Sequence, residues 1–144
     1  MARLELEGID DLNAAINRMN PIPDGVKTEM LDAMTKAAMP AIRQSGQSLG
    51  VYDPESGEHV IDKLKANKPK LTKDGGSQDI TFSGSRQRGS KKVRNAEIAF
   101  INEYGTRKQP ARPFMGQAMT KNEKAIVDAA EEPLGNWMES EFNK

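Results

Sequence analysis

The sequence predicts an α+β fold: two long helices packed on a small antiparallel β-sheet, with a basic hairpin loop. Three observations predict it. Apolar residues recur at three- and four-residue spacing over 26–49 and again from Phe114 onward, as in helices with one buried face. Between these segments, short apolar runs alternate with Gly, Pro and Asp punctuation, which suits strands and turns. Residues 84–92, GSRQRGSKK, hold no apolar side chain and read as a mobile basic loop. A chain of 144 residues is expected to form one domain, spanning 1–144.

Each element has its own signal. In residues 2–7, Leu4 and Leu6 fall on one face, and Arg3, Glu5 and Glu7 on the other, which predicts a half-buried strand. Gly8 ends it, and Asp10 or Asp11 then caps a short helix carrying Leu12, Ile16 and Met19. Prolines at 21 and 23 and Gly25 break the chain before the first long helix. Pro40 lies inside that helix, where it removes a hydrogen bond, so a kink or break is expected there. Val60, Ile61 and Leu64 mark a short helical patch over 59–65. Asp74-Gly75-Gly76 reads as the turn of a β-hairpin joining 68–73 to 78–83. Four consecutive apolar residues, Ile98 to Ile101, predict a strand over 93–101 buried on both faces. Pro113 opens the last long helix, and Pro133 and Gly135 disturb it.

Net charge is zero, but it is unevenly distributed. Residues 1–61 carry five basic and ten acidic groups, residues 62–112 thirteen and five, and residues 113–144 three and six. A basic middle between acidic flanks favours head-to-tail association, unless the charges mix on the folded surface. Cysteine is absent, so disulfides, zinc–thiolate sites and cysteine nucleophiles are excluded. No apolar run approaches the ~18 residues of a membrane span. MARLELEGIDDL, with one Arg followed by acids, is unlike a secretion signal, and an intracellular, soluble chain is expected.

Candidate chemistry is sparse. His59 is the single histidine, near Glu55 and Glu58 but without a second strong ligand, so no metal or other cofactor is expected. Glu131-Glu132 and Asp10-Asp11 are adjacent carboxylates, which do not face each other on a helix. No catalytic set stands out, and the chain is not read as an enzyme. The basic loop carries Arg86, Arg88, Lys91, Lys92 and Arg94, five cations in nine residues. They suit either phosphates or an acidic protein surface, though no aromatic is interleaved to stack bases.

Residues 103–114, EYGTRKQPARPF, form a shaped corner. Tyr104 supplies an anchor with a polar tip, Gly105 a positive φ, and Pro110 a stiff approach. Pro113 suits a first helical turn, and Phe114 pins that turn to the core. Arg112 stands where a cap belongs but cannot cap. The open helix start is therefore expected to accept an acidic group of an adjacent subunit, helped by Arg107, Lys108 and Arg112.

Glu103-Tyr104-Gly105-Thr106, a short linker, and Ala111-Arg112-Pro113-Phe114-Met115 opening a C-terminal helix resemble the family of small neck and tail-completion proteins of long-tailed bacteriophages. The likeness is strongest over residues 96–119. The opening Leu4-Glu5-Leu6-Glu7-Gly8-Ile9-Asp10-Asp11-Leu12 and the helix near 26–49 are also similar. Family members often follow the first long helix with a proline, an acidic residue and a Thr-Gly pair. Here Val51-Tyr52-Asp53-Pro54-Glu55-Ser56-Gly57 has the order altered.

The resemblance implies a non-enzymatic virion protein, made in the host cytoplasm and ending in the neck or tail. It would form a homo-oligomeric ring and contact a head-closure or adaptor protein on one side and tail proteins on the other. Head–tail joining or tail completion is the implied role, without a membrane, and contact with genomic DNA in the channel is left open. The corner and the basic loop are the expected contact residues. The alternative is a small DNA-binding or DNA-packaging accessory protein that uses the 85–94 loop.

Overall fold

The computed structural model describes residues 2–7, 21–51 and 59–143. In chain order these form β1 (Ala2–Leu6), α1 (Asp24–Ser48), a 3-10 turn (Val60–Lys63), β2 (Leu64–Ala66), β3 (Lys70–Thr72) and β4 (Gly75–Phe82). A two-stranded ribbon of β5 (Ser85–Arg88) and β6 (Lys91–Arg94) follows, and then α2 (Asn95–Tyr104), α3 (Phe114–Lys121) and α4 (Glu123–Phe142). The layout is α+β with antiparallel pairing throughout these strands. The short helix expected around Leu12, Ile16 and Met19 lies outside the described residues.

β4 is the spine of the sheet. β1 pairs along one side of it, from Ala2↔Ile80 to Leu6↔Gly76. β2 and β3 share the other side, through Ala66↔Ile80 and Lys70↔Ser77. The β3–β4 hairpin is present, but its turn is Lys73-Asp74, one residue earlier than expected. Gly75 and Gly76 are already in the strand, because β1 crosses here so closely that a Cβ on Gly75 would collide with the Leu6 carbonyl.

α1 lies across the sheet and buries Met30, Met34, Ala38 and Ile42 in one core with Leu4, Ile80 and Phe82. Pro40 neither breaks nor ends this helix. It occupies an exposed position between buried Ala38 and Ile42, so the apolar contacts of its neighbours outweigh the one hydrogen bond its ring removes. α1 also carries a buried polar seam. Thr35 Oγ1 donates to Gln78 Oε1 at 2.7 Å, and Gln78 Nε2 donates to the Asn67 carbonyl at 2.9 Å. Lys27 is buried, with Nζ donating to the carbonyls of Thr72 and Lys73 at 2.8 and 3.1 Å, which fastens the β3–β4 turn to the helix.

The last helical segment is two helices, meeting at Asn122, whose Nδ2 donates to the Ala118 carbonyl at 2.8 Å. Pro133 is carried within α4 without a break. α3 and α4 pack on α1, and Phe114 meets Phe82 with ring centres 6.0 Å apart at 59°.

The expected strand over 93–101 is a correction. Only 91–94 is extended, and 95–104 is helix α2. Four apolar residues in a row do not distinguish a strand from a helix by periodicity alone. As a helix, Ile98, Ala99 and Asn102 turn inward while Phe100 turns out at 55% exposure. Phe100 therefore does not enter the core as expected, and Ile101 is only half-buried.

Candidate functional site

The hairpin 85–94 and the corner 102–116 flank α2, one at each end. The basic loop is a paired ribbon: Arg86 lies opposite Val93 and Arg88 opposite Lys91 around the Gly89-Ser90 turn. Arg86 anchors its base. This side chain is buried, and its Nε donates to Asn95 Oδ1 at 2.7 Å. Asn95, at the start of α2, in turn donates through Nδ2 to the Ser83 carbonyl at 2.7 Å. Val93 packs against the core from the same face. The remaining cations, Arg88, Lys91, Lys92 and Arg94, are exposed, with Arg94 bridging to Glu97 at 3.1 Å. The ribbon carries its exposed charge from Arg88 at the turn back to Arg94 at the base.

The corner is closed from within. Gly105 ends α2 at φ 75° and ψ 178°, donating its N–H to the Ile101 carbonyl at 2.8 Å. That region of backbone space suits glycine alone, and a Cβ would lie 2.7 Å from the Ala111 nitrogen. Thr106 Oγ1 accepts from the N–H groups of Lys108 and Gln109, both at 3.2 Å, which tightens the turn. The returning chain is held by Asn102, whose carbonyl accepts from Arg112 N–H at 2.6 Å and whose Oδ1 accepts from Gln109 Nε2 at 3.2 Å.

Glu103 and Arg112 then join three helices. Glu103 is buried, and its two carboxylate oxygens accept from the N–H groups of Met115 and Gly116, each at 2.9 Å. This is an N-terminal cap for α3 supplied from α2, with the charge that the helix dipole favours. The open helix start expected to receive an acidic group from an adjacent subunit is thus already filled by the chain's own Glu103. Arg112 has a matching task at the other polarity. Its guanidinium donates to the Gly50 carbonyl at 3.0 Å and the Leu49 carbonyl at 3.5 Å, just past the end of α1, where a cation is favoured.

The twelve residues selected from sequence therefore separate into two groups. Arg86, Gly105, Arg112, Pro113 and Phe114 face inward or fix the backbone, and Phe114 is fully buried. Arg88, Lys91, Lys92, Arg94, Tyr104, Arg107 and Lys108 are exposed and open to a partner. Tyr104 is 61% exposed, so it is not a core anchor; its ring lies 4.7 Å from that of Phe100, and the two make an aromatic patch on the outer face of α2.

Sequence reasoning missed Glu103, Asn95 and Phe100 as functional positions. A capping box three residues apart would have been visible in the sequence, but Glu103 reaches N–H groups twelve and thirteen positions on, and only the fold closes that distance. Among the described residues no cluster of His, Asp or Glu is placed to hold a metal ion, and no helix is long and apolar enough to cross a membrane. Comparison with protein-family models, curated proteins and solved structures finds no match.

Proposed function

We propose that this chain is a structural subunit of a tailed-bacteriophage virion, forming a homo-oligomeric ring at the neck or the head-proximal end of the tail and acting in head–tail joining or tail completion without catalysis. One observation carries the reading beyond the likeness of motifs: the motif residues interlock. Glu103 caps α3, Gly105 makes the reversal, Arg112 holds the end of α1 and Phe114 fills the core between them. A motif whose members build one joint is a stronger mark of common architecture than the same letters scattered over unrelated sites. The joint leaves Phe100, Tyr104, Arg107 and Lys108 exposed, with the basic ribbon at the other end of α2, for contact with neighbouring proteins.

The test is electron microscopy of lysates from the parent phage with this gene disabled. Full heads beside separate tails place the protein at the joint, and tails of abnormal length or with ragged ends place it in tail completion. Normal infectious particles would sink the reading.

A second reading has its own observation. The β5–β6 ribbon is two strands wide and cationic at its tip, and a two-stranded ribbon is one of the shapes a DNA major groove admits. An accessory DNA-binding role predicts steeply salt-dependent binding to duplex DNA, lost on neutralising Arg88, Lys91 and Lys92.

A further inference from the structure

A groove of about 580 Å³ runs between β1 and α4, with Met34, Val127 and Leu134 in its apolar wall. It continues past Glu123 into a second hollow of about 300 Å³ that shares Met34 and Val127. Among the described residues β1 pairs with β4 alone, and its residues Arg3, Glu5 and Leu6, with Glu7 directly after it, line this groove. Val127 is 50% exposed there. The rim is acidic, formed by Glu5, Glu7, Glu123 and Glu131. Arg3, the one cation among the described lining residues, is engaged with Asp79, Nε to Oδ1 at 2.6 Å, which also holds the Asp79 carboxyl below the usual carboxylate range. The surface is therefore apolar at its floor and negative at its edge.

The complementary surface is on the same chain. The β5–β6 ribbon presents Arg88, Lys91 and Lys92, and α2, which begins directly after it, presents the Phe100–Tyr104 pair. The two surfaces lie toward opposite ends of α1. The groove includes Met30 and Met34, whereas the corner below α2 is tied to the carbonyls of Leu49 and Gly50. At 1.5 Å per residue, Met34 and Leu49 are roughly 20 Å apart along the helix.

We infer that the groove between β1 and α4 receives the basic ribbon and aromatic pair of a second copy of this chain. Opposite charges meet across the contact, and Phe100 and Tyr104 cover the exposed Val127. Because the two patches differ, the contact is head-to-tail: each copy offers a ribbon to one neighbour and a groove to the other, and the series closes into a ring when the rotation permits. This deepens the ring reading and depends on it.

The chain has no cysteine, so introduced thiols report cleanly. The full-length chain with Val127→Cys and Lys92→Cys together, oxidised at high concentration, is expected to give a ladder of multimers on a non-reducing gel. A mixture of the two single variants is expected to give a mixed dimer more readily than either alone. Reversing Arg88 and Lys91 to Glu is expected to abolish the ladder, and adding Glu123→Lys and Glu131→Lys to restore it. The proposal is overturned if Val127→Cys pairs chiefly with itself, if the double variant closes within one chain, or if the ladder ignores charge reversal. It is equally overturned if the thiol of Val127→Cys resists a maleimide in the folded monomer, held dilute, because the groove is then covered by its own chain. Native mass spectrometry of the unmodified chain separates the two failures. Oligomers lacking this pairing sink the interface alone, whereas normal particles in the gene-disruption experiment sink the ring reading itself.

Discussion

The corner of residues 102–116 and the hairpin of residues 85–94 are both rich in charge, and they use it in opposite ways. In the corner, Glu103 and Arg112 are turned inward, one onto the start of α3 and the other past the end of α1. In the hairpin only Arg86 is turned inward, while Arg88, Lys91 and Lys92 stand in solvent. The corner's charges substitute for hydrogen bonds that helix ends lack, so they stabilise the fold. The hairpin's charges contribute little to folding and remain available for a partner. The motif residues Glu103 and Arg112 and the residues proposed to dock a partner are thus neighbours in sequence, the first turned inward and the second exposed.

This difference can be broken or sharpened by substitution. The largest effect belongs to the corner's hydrophobic pin: Phe114→Ala should cost about 3–5 kcal/mol, a fall of roughly 10 °C in the thermal midpoint for a chain of this length. Glu103→Ala leaves two N–H groups without their acceptor and should cost about 2–3 kcal/mol in a denaturant titration. A loss below about 0.5 kcal/mol would mean that the cap is dispensable. Gly105→Ala forces a side chain into backbone space that excludes it, at about 1–3 kcal/mol, measurable in the same titration.

Smaller still is the Arg3–Asp79 pair beside the groove. The hydrogen bond from Arg3 depresses the folded-state pKa of Asp79, so its contribution is fully present above the ordinary carboxylate pKa. It is lost as pH falls through the depressed value. The stability gap between the unmodified chain and Asp79→Asn should therefore be small at neutral pH and shrink below about pH 4. A gap that widens on acidification would contradict the assignment. Least affected should be the hairpin: Lys91→Glu with Lys92→Glu should move stability by no more than about 0.5 kcal/mol.

Local pattern carried much of the fold. The alternation of Leu4 with Arg3 and Glu5 announced β1, and the spacing of Met30, Met34, Ala38 and Ile42 announced α1. The β3–β4 hairpin was legible from its turn residues to within one position. The failures share a cause: local signals that packing overrides. Pro40 signals a kink or break and Pro133 a disturbance; each helix runs on past its proline, with Pro40 between buried Ala38 and Ile42 and Pro133 between buried Ala130 and half-buried Leu134. Ile98 to Ile101 signal a strand, yet the bonds of Asn95 to Ser83 and Arg86 start a helix there.

At the candidate site the glycine and the core phenylalanine were readable, because Gly105 and Phe114 act where they stand in the chain. The tasks of Glu103 and Arg112 were not, since their partners are twelve and more than sixty positions away. The acidic groove was not readable either. Glu5 comes from β1 and Glu123 and Glu131 from α4, and the two elements meet only in the folded chain.

The division of labour between corner and hairpin is tested most directly by one paired measurement. The Glu103→Gln variant and the Lys91→Glu, Lys92→Glu variant are each followed by thermal unfolding and by native mass spectrometry. The corner variant should unfold earlier but assemble in proportion to its folded fraction, whereas the hairpin variant should unfold normally and lose its oligomers. A hairpin variant that assembles like the unmodified chain, or a corner variant that keeps its midpoint and loses assembly, would contradict the account.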